Sequence, residues 1–493
     1  MRSVRRKFRA SAEPSFIYPG FVILALLLLY LLNVSYNLHY FYIRGGGDDS
    51  GYFAWLTSNA HDWPIANPDV IGGYFLSIHM SPIFFVSTLL LTPLSDLPVA
   101  VRFCIFISLW APLLWMALFL LLNRFAAITF GQRCAIAFLL TFNGLTLSMM
   151  GFPHIEVLIP ALGLLAIAVC LRAGTAAAWA AGGIIALLAL AIREDAGFHL
   201  FLPLLAMTAV SAWERDRRTM WRCLGLAALS FAGSLLALWM QRHGTPNGGQ
   251  LLGYIYLGNP VLAHLSVAGL SRRVLYWATR REYIFLPFLA LLIFASRLGL
   301  GDRRLLLGAA IALPWLTLSL FAASQQAGDL WSYYCFPLVF MLFWPLLLGQ
   351  CGSSVPRRLL SVQITMGGLS TAAFVAVGVL PNVGDGGSHD RAPWRHLLPP
   401  SPTLIRLTES SLAHRDGWLF DYGAAALALG SLRPGQFRAG LAFDDADLRA
   451  AHGFVRFDTE PAFLAPQIAA LQRVFPACTP VDGTALQVCS RAF

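Results

Sequence analysis

The chain has 493 residues, of which 57% are hydrophobic and 12% are charged, and its formal net charge is +10. Soluble proteins contain about 25% charged residues, so this composition, with a mean hydropathy of +0.64, excludes a soluble globular protein. Because a helix satisfies its own backbone hydrogen bonds in hydrocarbon, we predict an all-α polytopic membrane bundle.

The basic residues are explained by membrane orientation and not by nucleic-acid binding. They cluster in short connections between apolar segments, as is typical of the cytoplasmic side of a membrane protein. The basic start, MRSVRRKFRASAEPSF, leads into an apolar run at 16–32 that no small-residue cleavage site follows. We therefore expect an uncleaved first span with a cytoplasmic N-terminus, the lipid bilayer as a partner and no nucleic-acid partner.

Apolar windows predict about eleven transmembrane helices. The short apolar run in HMSPIFFVSTLLLTPL, residues 79–94, is bounded by prolines and is expected to lie at the membrane interface instead. After the first span, the predicted spans are 99–122, 134–150, 155–171, 176–192, 197–212, 223–240, 283–296, 305–322, 333–349 and 359–380.

This pattern predicts two domains. Residues 1–380 form the transmembrane domain, with long periplasmic loops at 34–98 and 241–282. An odd number of spans places the tail, residues 381–493, in the periplasm of a bacterial inner membrane. Short apolar runs alternate with polar breaks in this tail, which predicts a small α/β domain.

The eight cysteines fall into two groups. Cys478 and Cys489 lie in the polar tail, where they can form a disulfide if the tail is outside the cytoplasm. The others lie in or beside apolar segments and are expected to be small core residues. These core cysteines are Cys104, Cys134, Cys170, Cys223, Cys335 and Cys351.

Polar side chains recur where the predicted spans meet the outer face. The stretch RGGGDDSGYF, residues 44–53, follows the first span, and its glycines allow backbone conformations that other residues avoid. Charged groups this close to a span are costly, so their repetition in five turns at one face indicates a functional site. The side chains concerned are Asp48, Asp49, His79, His154, Glu156, Arg193, Glu194, Asp195, Tyr333 and Tyr334.

Each of these groups has more than one interpretation. The Asp48 and Asp49 pair holds a cation, moves a proton or belongs to an ordinary Gly/Asp loop. His154 and Glu156 diverge on a helix, but in an extended turn both can face a cleft beside Asp49. There they form either a site for a divalent cation (Mg, Mn or Zn) or a general base with its orienting partner. The Arg-Glu-Asp sequence at 193–195 is either functional or a salt bridge that caps a helix.

The second outer loop contains an amphipathic stretch, SRRVLYWATRREY. In it, Arg272 and Arg273 precede Tyr276 and Trp277. This mixture is typical of a helix that rests among lipid headgroups. Guanidinium groups also bind phosphate, so a substrate-binding role is the second interpretation.

Four motifs together resemble a bacterial membrane-protein family, the domain of unknown function 2079. In chain order they are GGGDDSGYF, HMSPIFF, GFPHIEVLIPALGLLAIA and LLALAIREDAGFHLFLPLLA. The resemblance is clearest over residues 45–205 and continues more weakly through DLWSYYCFPLVF. That family is in turn similar to the C-type (GT-C) glycosyltransferases, which use polyprenyl-phosphate sugar donors and place catalytic acids in the first outer loop.

The resemblance implies a GT-C-like fold and a set of site residues. The family motif has one aspartate where this chain has two, so either Asp48 or Asp49 would be the base or the metal-holding acid. Glu156 and His154 would match a second acidic site, and a divalent cation would bind Asp49, His154 and Glu156. The implied substrate-binding residues are His79, His154, Arg193, Glu194, Asp195, Arg272, Arg273, Tyr333 and Tyr334.

These inferences predict an inverting glycosyltransferase that acts on a periplasmic or lipid acceptor. An aspartate deprotonates or positions the acceptor hydroxyl, and Arg or His donors stabilise the departing polyprenyl phosphate. The alternative from the transporter class is a flippase or proton-coupled carrier for lipid-linked sugars, which requires acids near the midplane of the spans. A second alternative is a non-catalytic envelope protein on a GT-C scaffold, in which the tail carries the activity.

Overall fold

The structure is a computed structural model that describes residues 17–125, 128–244, 250–296, 298–352, 357–379, 397–413, 415–438, 441–458 and 465–491. The basic N-terminal segment and the Gly- and Pro-rich linker before the tail domain lie outside these residues. The protein is mostly helical, at 70%, as its composition predicts. All four strands formed by the described residues lie in the tail domain.

Apolar helices build the first domain. The helices before the second long loop are α1 (Ile17–Tyr42), α2 (Asp48–Asn59), α3 (Ile83–Leu91), α4 (Val99–Ile107), α5 (Trp110–Leu122), α6 (Phe130–Thr141), α7 (Gly144–Met150), α8 (Leu158–Arg172), α9 (Ala176–Leu190), α10 (Ala196–Trp213) and α11 (Arg217–Gly244). The helices that follow are α12 (Gln250–Leu257), α13 (Val267–Arg280), α14 (Glu282–Ala295), α15 (Leu306–Leu320), α16 (Gln325–Gly328), α17 (Val339–Leu342), α18 (Trp344–Leu348) and α19 (Arg357–Val379).

Several of these helices can cross a membrane. In the described part of the chain, 7 helices are long and apolar enough, or 8 if α6 and α7, bent by 54°, form one span. Three further predicted spans correspond to shorter apolar helices, namely α9, α14 and the broken segment Ser332–Leu348. The protein is therefore a multi-pass membrane protein, and the number of about eleven spans stays a prediction. The run after HMSP forms the short helix Ile83–Leu94, which cannot span a bilayer on its own.

The first helix is longer than the sequence pattern predicts. The apolar run ends at residue 32, but α1 continues to Tyr42. Its second half contains asparagines that hydrogen-bond inside the bundle. Asn37 donates to Ser108 Oγ at 2.8 Å, and Asn33 donates to the Ser108 carbonyl at 3.3 Å. The amide N–H groups of both side chains thus find acceptors in the α4–α5 connection, within the part of α1 that follows the apolar run.

The centre of the bundle is formed by α8 and the segment Ser332–Leu348. In Ile155–Arg172, 83% of the span is buried, against 28% for α1. Ser332–Leu348 is divided into a 3-10 helix and two short α-helices, and nearly all of it is buried. Irregular backbone at membrane depth is tolerated where protein covers it, so this central position explains the broken helix.

Arginines stabilise the end of the bundle where α8 and α10 terminate. Arg222 donates to the Leu171 carbonyl at 2.7 Å, close to the last turn of α8. Arg304 donates to Glu214 at 2.5 Å, beyond the end of α10. Basic side chains commonly bind the unpaired carbonyls of a helix C-terminus. The arginines of the predicted cytoplasmic loops therefore also have a packing role.

The tail forms a small domain with helices and a mixed sheet. The strand order is β1-β2-β4-β3, with β1 parallel to β2 and the other pairs antiparallel. Cys478 and Cys489 are paired on neighbouring strands and form a disulfide. The elements are helices α20 (Pro402–Leu412), α21 (Tyr422–Ala428), α22 (Asp445–Ala450) and α23 (Ala465–Val474), and strands β1 (Trp418–Phe420), β2 (Gly453–Phe457), β3 (Ala477–Pro480) and β4 (Leu486–Ser490).

The two faces of this sheet belong to different cores. Phe420 and Phe457 are buried in the same cluster as the transmembrane helices. Leu419 and Phe454, which alternate with them, belong to a separate cluster that includes residues of α23. This alternation follows the period of two in a strand, so one face of the sheet packs toward the membrane domain and the other faces away.

Candidate active site

The RGGGDDSGYF stretch forms a turn followed by α2. Gly45 and Gly46 have positive φ angles of +87° and +50°, which favour glycine. Gly51 allows α2 to approach α21 of the tail domain, since a Cβ at this position would lie 2.3 Å from Ala426 Cα. The glycines therefore serve the turn and the contact between domains.

Five chain segments meet at one half-enclosed cavity of about 250 Å³. They are the first outer loop with α2, the HMSP turn (79–82), the PHIE turn (153–156), the RED turn (193–195) and the SYY segment (332–334). Helix α12 also contributes to the lining. A small cavity with convergent polar groups is the usual form of a ligand site. The lining residues are Asp49, Tyr52, Phe53, Phe75, Ile78, His79, His154, Glu156, Arg193, Ile255, Tyr256, Gln326, Tyr333 and Tyr334.

Asp49 is the aspartate of the pair that lines the cavity. Its side chain is exposed because it opens into this space, although protein surrounds the group on its other sides. Burial raises its pKa above the usual value for aspartate, and the nearby His79 opposes that shift. The side chain of Asp48 lies outside the part of the chain that the structure describes.

His79 is held in place by Glu194. The fully buried Glu194 carboxylate accepts hydrogen bonds from His79 Nδ1 and from the Met80 backbone N–H, both at 3.0 Å. Since Nδ1 is occupied, Nε2 is the ring nitrogen that remains for a ligand in the cavity. Glu194 does not line the cavity itself, so it positions His79 and does not contact a ligand directly.

His154, Glu156 and Arg193 form a buried network in the cavity wall. His154 has an extended backbone, with φ −144° and ψ 146°, and a 3-10 turn begins after it. This local geometry brings His154 Nδ1 into contact with the Glu156 carboxylate. The other Glu156 oxygen lies 3.3 Å from Arg193 Nη1. The extended turn expected for the His-x-Glu motif is therefore present.

The His154 ring is enclosed by aromatic side chains. It stacks on Tyr333 with a centroid distance of 3.7 Å and contacts the edge of Phe53 at 4.2 Å. Burial lowers the pKa of His154 well below its usual value, and the positive charges of Arg193 and His79 lower it further. His154 is therefore neutral at physiological pH, which allows its Nδ1–H to face Glu156.

The Arg-Glu-Asp turn contains the expected salt bridge and also reaches the cavity. Arg193 Nε lies 3.0 Å from Asp195 Oδ1. Burial opposes ionisation of Asp195, but Arg193 outweighs this effect and holds its pKa below the usual value, with help from His199. Asp195 is the residue before α10. Arg193 thus lies within ion-pair distance of three acidic residues, Glu156, Glu194 and Asp195, and lines the cavity.

The predicted metal ligands lie in the wall of the cavity. Among the residues that the structure describes, no group of three or more His, Cys, Asp or Glu side chains is placed to hold a metal ion. Asp49, His154 and Glu156 line one cavity, but Glu156 is already engaged by His154 and by the Arg193 guanidinium. The divalent cation expected at Asp49, His154 and Glu156 therefore stays a prediction.

Arg272 and Arg273 lie on α13, away from the cavity lining. Arg273 donates to the carbonyls of Leu320 and Ala322 at 2.9 and 2.8 Å. It therefore caps the C-terminal end of α15. Arg272 is exposed on the surface of the same amphipathic helix, which fits the headgroup interpretation of this stretch.

Two tyrosines of the cavity have no counterpart among the residues predicted from sequence. Tyr52 is three residues after Asp49 on α2, a spacing that places both on one helix face, and this signal was present in the sequence. Its hydroxyl donates to Asn67. Tyr256 belongs to α12 in the second outer loop, where no local motif marks it.

Comparison with known proteins does not assign this site. No protein-family model and no curated protein sequence matches the chain. The resemblance to domain of unknown function 2079 and to the GT-C enzymes therefore stays a prediction. The structure shows a multi-pass membrane protein in which one cavity is lined by an aspartate, two histidines, a glutamate and an arginine.

Proposed function

We propose that this protein is a membrane glycosyltransferase of the GT-C type that transfers a sugar from a polyprenyl-phosphate donor to an acceptor hydroxyl. The observation that carries the proposal is the cavity in which Asp49 is exposed beside His79 and Arg193, against a wall of aromatic rings. Its volume, about 250 Å³, suits one small ring unit better than an oligomer, since larger ligands occupy cavities up to about 1,000 Å³.

In the proposed reaction, Asp49 is the general base. Its carboxylate takes the proton of the acceptor hydroxyl while the acceptor oxygen attacks the anomeric carbon. A pKa raised by burial makes this carboxylate a better base than an ordinary aspartate, provided that it remains ionised at the working pH. Attack from the face opposite the phosphate inverts the configuration of the sugar.

The leaving group is polyprenyl phosphate. The bond between the anomeric carbon and the phosphate oxygen breaks, and the electron pair stays on the phosphate. His79, through Nε2, and the Arg193 guanidinium are the donors at the cavity that stabilise this charge. The glutamates behind them, Glu194 and Glu156, fix their orientation through hydrogen bonds and ion pairs.

The proposed location is the bacterial inner membrane, with the cavity and the tail domain on the periplasmic side. The disulfide between Cys478 and Cys489 supports this orientation, because disulfides persist in oxidising compartments. The arginines at the other end of the bundle support it as well, because basic residues are enriched on the cytoplasmic side. The donor and the acceptor then reach the cavity from the outer leaflet.

The experiment that tests the proposal is an assay of purified protein with a panel of polyprenyl-phosphate sugars. We expect release of polyprenyl phosphate that depends on an acceptor and is lost in Asp49→Asn. Asp62→Asn, at an exposed aspartate of the same loop, is the matched control and keeps activity. Release that survives in Asp49→Asn contradicts the role of the base. Movement of labelled lipid across liposomes without sugar transfer favours the carrier alternative.

A further inference from the structure

The tail domain has a cleft that is separate from the candidate active site. It encloses about 630 Å³ and is lined by Arg449, Arg473 and Arg491 together with one carboxylate, Asp445. The arginines come from α22, from α23 and from the residue after β4. Elements distant in sequence therefore bring three guanidinium groups to one open space.

The cleft lies on the side of the sheet that faces away from the membrane domain. α23 packs through Ile468 and Leu471 against Phe454 and Cys489. The alternate face of β2, with Phe457, packs against Gly45 in the turn between α1 and α2. A ligand in the cleft would therefore approach from outside and would not enter the cavity of Asp49.

Positive charge exceeds negative charge in the cleft, since three arginines and one aspartate line it. In the described part of the chain, none of Arg449, Arg473 and Arg491 has a carboxylate oxygen within the 4.0 Å that defines an ion pair. By contrast, the neighbouring Arg438 pairs with Asp447 at 3.0 Å. Converging like charges repel each other, and a bound anion removes that repulsion.

Arg491 is already fixed in position. It donates to the Leu448 carbonyl at 2.7 Å and to the Arg449 carbonyl at 3.2 Å, and its guanidinium lies 5.7 Å from the Phe475 ring centroid. Arg449 and Arg473 lie in the last turns of their helices, where a positive charge is favourable by itself. That local effect explains each arginine singly, but it does not explain why the two helices direct them to one cleft.

We propose that this cleft binds a phosphate-bearing anion. Arginine side chains match the oxygens of a phosphate group through two parallel N–H donors, and the open cleft admits a phosphate carried by a larger molecule. The inference does not depend on the proposed sugar transfer, because the cleft and the cavity lie on opposite sides of the sheet.

The test uses the full-length protein in nanodiscs of neutral lipid, with pyrophosphate as the probe in calorimetry. We expect binding that becomes at least about tenfold weaker in the double variant Arg449→Ala/Arg473→Ala, since a charge-assisted hydrogen bond contributes about that much. Arg406→Ala removes an exposed arginine of α20 in the same domain and is the matched control. Arg491 is kept because its contacts hold the fold.

A second arm of the experiment identifies the source of the phosphate. Vesicles that contain phosphatidylglycerol are compared with vesicles of phosphatidylcholine alone. Arginine-dependent binding to pyrophosphate supports a soluble phosphate ester, and arginine-dependent binding only to the anionic vesicles supports a lipid headgroup. Binding that is equally reduced in Arg406→Ala reflects general surface charge and overturns the proposal. Absence of any arginine-dependent binding overturns it as well.

Discussion

Asp49 lines a cavity but is otherwise surrounded by protein, and this position disfavours its ionised form. Burial raises the pKa of Asp49, against the opposing effect of His79. An acid whose pKa is raised on folding stabilises the protein when protonated, and that stability is lost as pH rises through the folded-state pKa. The ionised carboxylate required for a base therefore weakens the fold at neutral pH.

Asp49→Asn is accordingly expected to raise the melting temperature at neutral pH, with a smaller effect at acidic pH, where Asp49 is protonated. Thermal unfolding of the detergent-solubilised protein at two pH values measures this difference. Asp62→Asn, at an exposed position, should leave the melting temperature unchanged. A shift of the same size at both pH values would show that the charge of Asp49 is not the cause.

The same pKa shift predicts the pH dependence of the proposed transfer. A general base acts only when it is ionised, and the pKa of Asp49 is raised. The rate should therefore fall on acidification at a higher pH than an ordinary aspartate would give. The pH profile of kcat/KM measures this, and a profile flat down to the usual aspartate range contradicts the assignment.

Glu194 is predicted to act through His79. In Glu194→Gln, an NH₂ group replaces one of the two carboxylate oxygens. It either leaves the Met80 N–H without an acceptor or donates to His79 Nδ1, which moves the ring proton to Nε2. A buried donor without a partner costs about 1–3 kcal/mol. We expect a lower kcat and a disordered His79 ring, seen by NMR of ¹⁵N-labelled histidine. Asp96→Asn, at an exposed site, is the control. An unchanged NMR spectrum of the His79 ring in Glu194→Gln would contradict the proposed positioning role of Glu194.

At the scale of elements, the glycines near Asp49 connect the candidate site to the tail domain. Gly45 lies against Phe457 of β2, and Gly51 lies against α21. The sequence predicted glycines in backbone conformations that other residues avoid, and Gly45 and Gly46 have such conformations, with positive φ angles. Only the folded chain shows that Gly51 provides a helix contact, because its partner Ala426 lies hundreds of residues away in the sequence.

Gly51→Ala is therefore expected to displace α2 from α21. The added methyl group would lie 2.3 Å from Ala426 Cα, in contact with backbone that cannot yield easily. We expect a loss of about 1–3 kcal/mol of stability and a large loss of the proposed activity, since Asp49 lies on the same helix. Gly225→Ala is the matched control, because nothing lies within 4 Å of a Cβ at Gly225.

Thermal unfolding and hydrogen exchange of α2 and α21 measure the effect of Gly51→Ala. Faster exchange in both helices is expected in this variant and not in Gly225→Ala. Unchanged exchange in α21 would show that the two helices do not depend on each other. That result would leave the tail domain as an independent unit beside the candidate site.

At the scale of the molecule, one end of the bundle carries the cavity and the tail, and the other carries Arg222 and Arg304 beside the ends of α8 and α10. If the proposed orientation holds, a cysteine introduced at Thr484 should react with an impermeant maleimide in intact cells. A cysteine at the exposed Arg215 should react only after permeabilisation. The assay is run in a variant with the six free cysteines replaced. The reverse pattern contradicts the periplasmic assignment.

The sequence by itself determined that the chain is a multi-pass helical membrane protein with a small mixed domain at its end. Hydropathy depends only on the local sequence, so it can be determined without knowledge of the fold. Its limit appears at Asn33 and Asn37, where α1 continues beyond the apolar run and Ser108 accepts hydrogen bonds from both side-chain amides. The five polar turns were also visible, since charge beside a membrane span is costly wherever it occurs.

Only the tertiary structure decided which of these polar groups act together. It directs Asp49 into the cavity, places Glu194 behind His79 and uses Arg273 to cap α15. It also adds Tyr256 from a loop without a motif. These outcomes depend on contacts between residues far apart in sequence, and no local pattern records which side chain a distant segment will meet.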